Sequence, residues 1–222
     1  MALARIDVAG DPPVRGVLHP ASGSDGLVLT HGAGGNMDAL LLVAVAQAFA
    51  TRGVSVLRCN LPYRQARPTG PPSPSGAARD RDGLRAALNV LRERATGRLF
   101  AGGHSYGGRM ASMLVAAEPS LVSGLLLQSY PLHPPGKPKD LRTAHLQSIR
   151  VPTLFVHGTT DPFASPEELA AARALIPART STLEVNGGHD LGWSTQRRES
   201  QLPDRIATTF VDLVAAWERE GA

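Results

Sequence analysis

The segment Gly103-His104-Ser105-Tyr106-Gly107 constrains this chain more than any other stretch. The apolar run Leu99-Phe100-Ala101-Gly102 precedes it, and Gly108-Arg109-Met110-Ala111-Ser112-Met113-Leu114, a run suited to a helix, follows. A strand that turns straight into a helix must change course at one residue. The residue at that apex takes a strained backbone conformation. Glycines two before and two after the apex keep the turn free of colliding side chains. A serine placed there carries its hydroxyl above the sheet edge. The helix N-terminus behind it turns unsatisfied N–H groups toward developing negative charge. A hydroxyl is a weak nucleophile, so a serine displayed in this way requires a base elsewhere in the chain.

The rest of the chain supplies a frame for such a turn. Apolar runs of strand length fall at residues 3–8, 14–18, 27–30, 54–58, 99–102, 124–128, 153–157 and 182–185. The first two lie close together, which suits an antiparallel start. The central ones are continuously apolar, as in a parallel sheet buried on both faces. Helical patterns occupy 37–52, 77–94, 108–117, 166–176 and 202–220. The first is apolar nearly all round, and 77–94 places Leu84, Leu88 and Leu91 on one face. This alternation predicts an α/β fold: a mostly parallel sheet of eight strands, or seven, with helices on both faces. The pattern spans 1–222 as a single domain. Residues 67–76, rich in proline, glycine and serine, read as a surface loop near the site edge.

In such a sheet the site lies beyond the carboxyl ends of the strands. Ser105, Asp161 and His31 each follow a predicted strand, and His189 follows the last one. The order Ser105, Asp161, His189 leaves room for a strand and a helix in each interval. It supplies nucleophile, orienting carboxylate and general base. Asp190 adjoins His189, and adjacent side chains diverge, so it is a poor orienter. A tetrahedral oxyanion needs two fixed N–H donors. One is assigned to Tyr106. The other is assigned to the glycine-rich loop His31-Gly32-Ala33-Gly34-Gly35-Asn36, at Ala33 with Gly34 as the alternative. His31 is expected to pin that loop and His104 to pack structurally.

With these residues in view, the chain resembles the α/β-hydrolases, and within them the small dienelactone-hydrolase-like branch without a cap domain. The resemblance extends over nearly the whole chain. It rests on His31-Gly32-Ala33-Gly34-Gly35, Asn60-Leu61-Pro62-Tyr63, the Ser105 turn through Arg109, Tyr130-Pro131-Leu132-His133-Pro134-Pro135-Gly136 and Gly158-Thr159-Thr160-Asp161-Pro162-Phe163. It implies carboxylic-ester hydrolysis through Ser105, Asp161 and His189, with no cofactor. Dienelactone hydrolases proper carry cysteine as nucleophile. Serine here points to serine-esterase chemistry, with thioester, amide or perhydrolysis chemistry as alternatives on the same residues. A non-catalytic interaction module on this fold is the alternative from another class.

The segment 130–150 is short for a lid, so the site is expected to be open and shallow. Tyr130, Leu132 and His133 are expected along one wall, with Trp193 as a weaker candidate. Tyr63 and Arg64 are expected along another. Arg64 and Arg67 are the candidates to grip an anionic group. The partner is thus a small-molecule ester.

Other classes find no support. The net charge is +4, yet basic and acidic residues are interspersed, as in Arg79-Asp80-Arg81-Asp82. No basic tract suggests nucleic acid. No apolar run reaches membrane-spanning length, and the first residues lack the pattern of a secretory signal, so a cytoplasmic location is expected. Cys59 is alone, which excludes an internal disulfide, and the histidines lack metal-ligand spacing.

Overall fold

The computed structural model of the protein describes residues 1–134, 136–193 and 199–221, without the side chain of residue 221. Pro135 of the segment noted above lies outside the described residues. Eight strands form one sheet: β1 (Ala4–Val8), β2 (Val14–His19), β3 (Gly26–Thr30), β4 (Ser55–Cys59), β5 (Leu99–His104), β6 (Leu125–Gln128), β7 (Thr153–Gly158) and β8 (Thr180–Val185). Their order is β1-β2-β4-β3-β5-β6-β7-β8. The pairs β1/β2 and β2/β4 are antiparallel, and every later pair is parallel.

The two-residue period of a strand divides each apolar run between two cores. Leu27, Leu29, Val56, Phe100, Leu126, Leu154 and Val156 face one side. There they meet α1 (Leu40–Thr51) and α6 (Leu202–Gly221), whose Phe49 and Phe210 rings cross edge to face at 5.6 Å. Val28, Leu57, Leu99, Ala101, Leu125, Leu127 and Phe155 face the other side. That side is covered by α3 (Ala77–Arg92), α4 (Tyr106–Ala117) and α5 (Pro166–Arg173). A short helix, α2 (Pro62–Ala66), follows β4 directly. It begins at a proline, whose fixed φ suits the first helical turn.

Helix limits follow local hydrogen bonding. The pattern from residue 37 becomes helix only at Leu40. Before that, the Asn36 side chain accepts the Asp38 N–H (2.8 Å) and the Asn60 side chain accepts that of Met37 (2.8 Å). At α5 the Ser165 hydroxyl accepts the Glu168 N–H (3.2 Å), while the Glu168 carboxylate accepts the Ser165 N–H (2.7 Å). The 67–76 segment is not wholly loop, because Pro74–Gly76 form one 3-10 turn leading into α3. Between β6 and β7, the described residues contain a single 3-10 turn, Leu146–Ser148, and no cap built of helices. Among the described residues, no helix is long and apolar enough to cross a membrane.

Burial holds four histidines neutral. It lowers His19, His31, His104 and His145 to about 4. In the unfolded chain these rings titrate near about 6.5. Between those values the unfolded state binds more protons than the folded one. Their contribution to stability is therefore complete above about 6.5 and is lost as pH falls toward 4. The melting temperature is expected to fall by on the order of 10 °C across that window. A thermal denaturation series that stays flat there would contradict the neutral burial of these rings.

Candidate active site

Ser105 occupies the apex between β5 and α4, with φ 50° and ψ −115°. Its N–H donates to the Gln128 carbonyl at the end of β6 (2.8 Å). The flanking glycines are required by the end of β3. A Cβ on Gly103 would lie 2.6 Å from the Thr30 carbonyl oxygen, and one on Gly107 2.5 Å from Thr30 Oγ1. The turn therefore wedges against β3, which holds the strained serine in place.

Two loops bring the partners. His189, beyond β8, places Nε2 2.7 Å from Ser105 Oγ and Nδ1 2.8 Å from Asp161 Oδ2. Asp161, beyond β7, has a fully buried side chain, and its Oδ1 accepts the Phe163 N–H (2.9 Å). The carboxylate is thus fixed at both oxygens. The Phe163 ring lies against the His189 ring at 4.2 Å between centroids. His104 Nε2–H donates to the His189 carbonyl (2.8 Å), so this ring anchors the histidine loop. The sequence expectation of a packing role for His104 matches this geometry.

The glycine-rich loop approaches the serine from β3. A Cβ on Gly32 would lie 3.4 Å from that of Ser105. Gly35 N–H donates to the Gly32 carbonyl (3.1 Å), closing a turn with Ala33 and Gly34 at its corners. The same carbonyl receives His31 Nδ1–H (2.9 Å) and the Tyr63 hydroxyl (3.0 Å). His31 carries its proton on Nδ1, because Nε2 accepts the Leu61 N–H (3.2 Å). In a trans peptide the N–H points opposite to the carbonyl. The Gly35 and His31 donors on Gly32 O therefore set the direction of the Ala33 N–H, and the Tyr63 hydroxyl lies 3.0 Å from the Gly32 and Ala33 carbonyls alike. Tyr106 begins α4, so its N–H has no acceptor within the helix.

The expected substrate walls are not where the sequence suggested. Tyr63, Arg64, Tyr130 and His133 are all buried, and none lines the cavity above Ser105. Helix α2 turns Tyr63 and Arg64 beneath the glycine-rich loop. Arg64 is held there by the carbonyls of Gly35 (2.8 Å), Ala33 (2.9 Å), Gly70 (3.1 Å) and Arg67 (3.3 Å). It braces the loop with four of its five N–H groups. Arg67 is exposed and donates to the Pro71 carbonyl (2.9 Å). The Tyr130 hydroxyl donates to the Arg142 carbonyl (3.1 Å), and His133 lies between the Pro134 carbonyl and Glu168. Leu132 is likewise wholly buried, while Trp193 does line the cavity.

The cavity has a volume of about 1010 Å³. Residues 71–74 of the proline-rich segment form part of its wall, together with Leu40, Leu41, Met113 and Phe163. Polar groups in the lining that the sequence reading did not assign are Arg109, Arg142 and Gln128. Arg109 lies one helical turn beyond Ser105, a spacing that could have flagged it. Nothing local marks the other two. Gln128 is wholly buried, and neither atom of its side-chain amide has a partner. A further unanticipated residue is Asp80 on α3. It is buried and accepts the Tyr106 hydroxyl (2.7 Å) and the Tyr63 N–H (2.9 Å), tying both tyrosines to the helix behind them. Among the described residues, no group of three or more His, Cys, Asp or Glu is placed to hold a metal ion.

The fold is similar to that of several known structures. A dienelactone hydrolase from Anabaena variabilis superposes with a TM-score of 0.75 at 17% identity, covering 97% of this chain and 98% of that one. Est1E from Butyrivibrio proteoclasticus gives 0.74 at 15% identity, covering 95% and 99%. An alpha-beta serine hydrolase homologue from Coxiella burnetii gives 0.74 at 17% identity, covering 94% and 98%. At these identities the likeness is one of fold. The model of the alpha/beta hydrolase domain matches residues 23–218 of the sequence itself, and the protein accordingly belongs to the alpha/beta hydrolase family.

Proposed function

We propose that the protein is a serine hydrolase that cleaves a small carboxylic ester through an acyl-enzyme, without a cofactor. The observation that carries this reading is the continuous chain of hydrogen bonds from Ser105 Oγ through His189 to the buried Asp161, 2.7 and 2.8 Å long. His189 Nε2 takes the proton from Ser105 as Oγ attacks the carbonyl carbon. The proton then passes to the leaving alkoxide, and the alcohol departs. Water, deprotonated by the same nitrogen, attacks the acyl-serine and releases the acid. Asp161 holds Nδ1–H and balances the imidazolium charge that forms during each transfer. The Ala33 and Tyr106 N–H groups receive the oxyanion.

Other nucleophiles are poorly placed. Cys59 lies buried in β4, and burial pushes its thiol up to about 12. His31 and His104, lowered to about 4 by burial, stay neutral and serve as structural donors. The neighbours named as a dienelactone hydrolase, as Est1E and as a serine hydrolase homologue are in keeping with ester chemistry.

The test is labelling of the purified protein with a fluorophosphonate probe, read by intact mass and peptide mapping. One adduct, on Ser105, is expected. A well-folded protein that takes no adduct would turn the reading toward a non-catalytic module. Relative kcat/KM on matched ester, thioester and amide substrates then ranks the acyl chemistry.

A further inference from the structure

Two cations, Arg109 and Arg142, line the cavity above Ser105, and among the described residues neither has an ion pair. Arg109 sits on α4, its own N–H donating to the Ser105 carbonyl (2.9 Å). Arg142 lies in the β6–β7 connection, fixed by its N–H to the Leu132 carbonyl (2.7 Å) and by the Tyr130 hydroxyl on its own carbonyl. Both side chains line the cavity. Among the described residues neither guanidinium has an ion pair or a hydrogen bond, and Arg109 Nε is shielded from solvent as well as unpartnered. Other arginines here are engaged: Arg85 with Asp82 and Glu118, Arg98 with Asp25 and Glu218, Arg58 with His19.

No ion pair joins either arginine to a described carboxylate of the cavity. Asp190, the carboxylate on the cavity lining, accepts the Gly192 N–H (3.0 Å). His145, behind Tyr130, is held neutral by burial and then by the charges of Arg109 and Arg81. Residues 194–198 contain no acidic side chain. Burial, and after it the charge of Arg109, lowers the pKa of Arg142, so the two guanidiniums sense one another. Two like charges beside an apolar wall are costly until an anion joins them. Guanidinium is suited to that anion, because its planar donors grip an oxyanion through two parallel bonds.

We propose that Arg109 and Arg142 form a subsite for an oxyanionic group of the substrate, a carboxylate or a phosphate, so that the ester cleaved at Ser105 is itself an anion. Leu40, Met113 and Phe163 supply apolar surface along the same cavity for the carbon chain. The role that the sequence assigned to Arg64 and Arg67 thus passes to two other arginines. This inference rests on reading Ser105 as the nucleophile.

Its test compares mono-4-nitrophenyl glutarate with the uncharged methyl ester of the same compound. Wild type is expected to favour the charged ester in kcat/KM. The ratio of charged to uncharged should fall by roughly 10–100-fold in Arg109→Gln and in Arg142→Gln, the value of a hydrogen bond to a charged group. High salt should erode the same ratio in the wild type. A wild-type ratio near one, or equal losses on both esters, overturns the subsite. Calorimetric titration of Ser105→Ala protein with glutarate and with inorganic phosphate separates the two levels of the argument. Saturable binding that disappears when both arginines are replaced supports the subsite even if no ester is turned over, and the tighter of the two ligands identifies the anion. Turnover of the neutral ester without binding of either anion leaves the hydrolase standing and removes the subsite.

Discussion

Replacing Ser105 with alanine is expected to lower kcat by about 10⁴-fold or more while leaving the fold intact. In the proposed mechanism the hydroxyl forms the acyl-enzyme, and in the free protein its Oγ bonds to His189 Nε2. Alanine keeps the Cβ, so the strained turn between Gly103 and Gly107 meets nothing new. Its N–H still donates to Gln128 and its carbonyl still receives the Arg109 N–H. Loss of one partly exposed hydrogen bond costs about 1 kcal/mol. The variant should therefore melt near the wild type while losing both turnover and the fluorophosphonate adduct. Retention of most activity by a folded Ser105→Ala protein would remove the serine from the mechanism.

Asp161→Asn is expected to cost about as much, on the order of 10⁴-fold in kcat. The reason lies in the orientation of the amide. Oδ1 of Asp161 accepts the Phe163 N–H, so the asparagine oxygen must stay on that side. The amide NH₂ then occupies the Oδ2 position, 2.8 Å from His189 Nδ1. An NH₂ there requires a lone pair on Nδ1 and moves the ring proton to Nε2. Nε2 then can no longer accept from Ser105. The residual rate should recover as hydroxide replaces the missing base, giving activity that climbs with pH beyond the wild-type plateau. A variant with near-normal kcat at neutral pH would show that the tautomer is set by something other than this carboxylate.

Both predictions concern residues that were legible in the sequence. Each sits at the end of an apolar run of strand length, and parallel strands deliver their ends to one edge. The elbow was legible because a serine apex with glycine at both flanks has few uses other than a tight strand-to-helix turn. The expectations for His31 and Ala33 rested on a glycine-rich loop that follows the adjoining strand. The helix α2 was hidden. It spans only Pro62–Ala66, less than two turns, and such a segment has no periodicity to detect.

That short helix accounts for most of the misplaced wall. Tyr63 and Arg64 look like rim residues when read as loop. Once they are helical, their side chains turn under residues 32–35, and Arg64 is held by backbone carbonyls. The cations that do face the cavity come from a helix face and a distant connection. Their meeting depends on how the β6–β7 segment packs over α4.

The sequence by itself determined the sheet, its two cores and the order of Ser105, Asp161 and His189. Those features arise from the two-residue period of strands and from steric rules acting within a few residues. Only the tertiary structure decided which polar side chains reach the cavity. A side chain near a strand end goes to solvent, to a ligand or to a backbone carbonyl according to which acceptors other segments bring within hydrogen-bond distance, and that is a property of the packed chain.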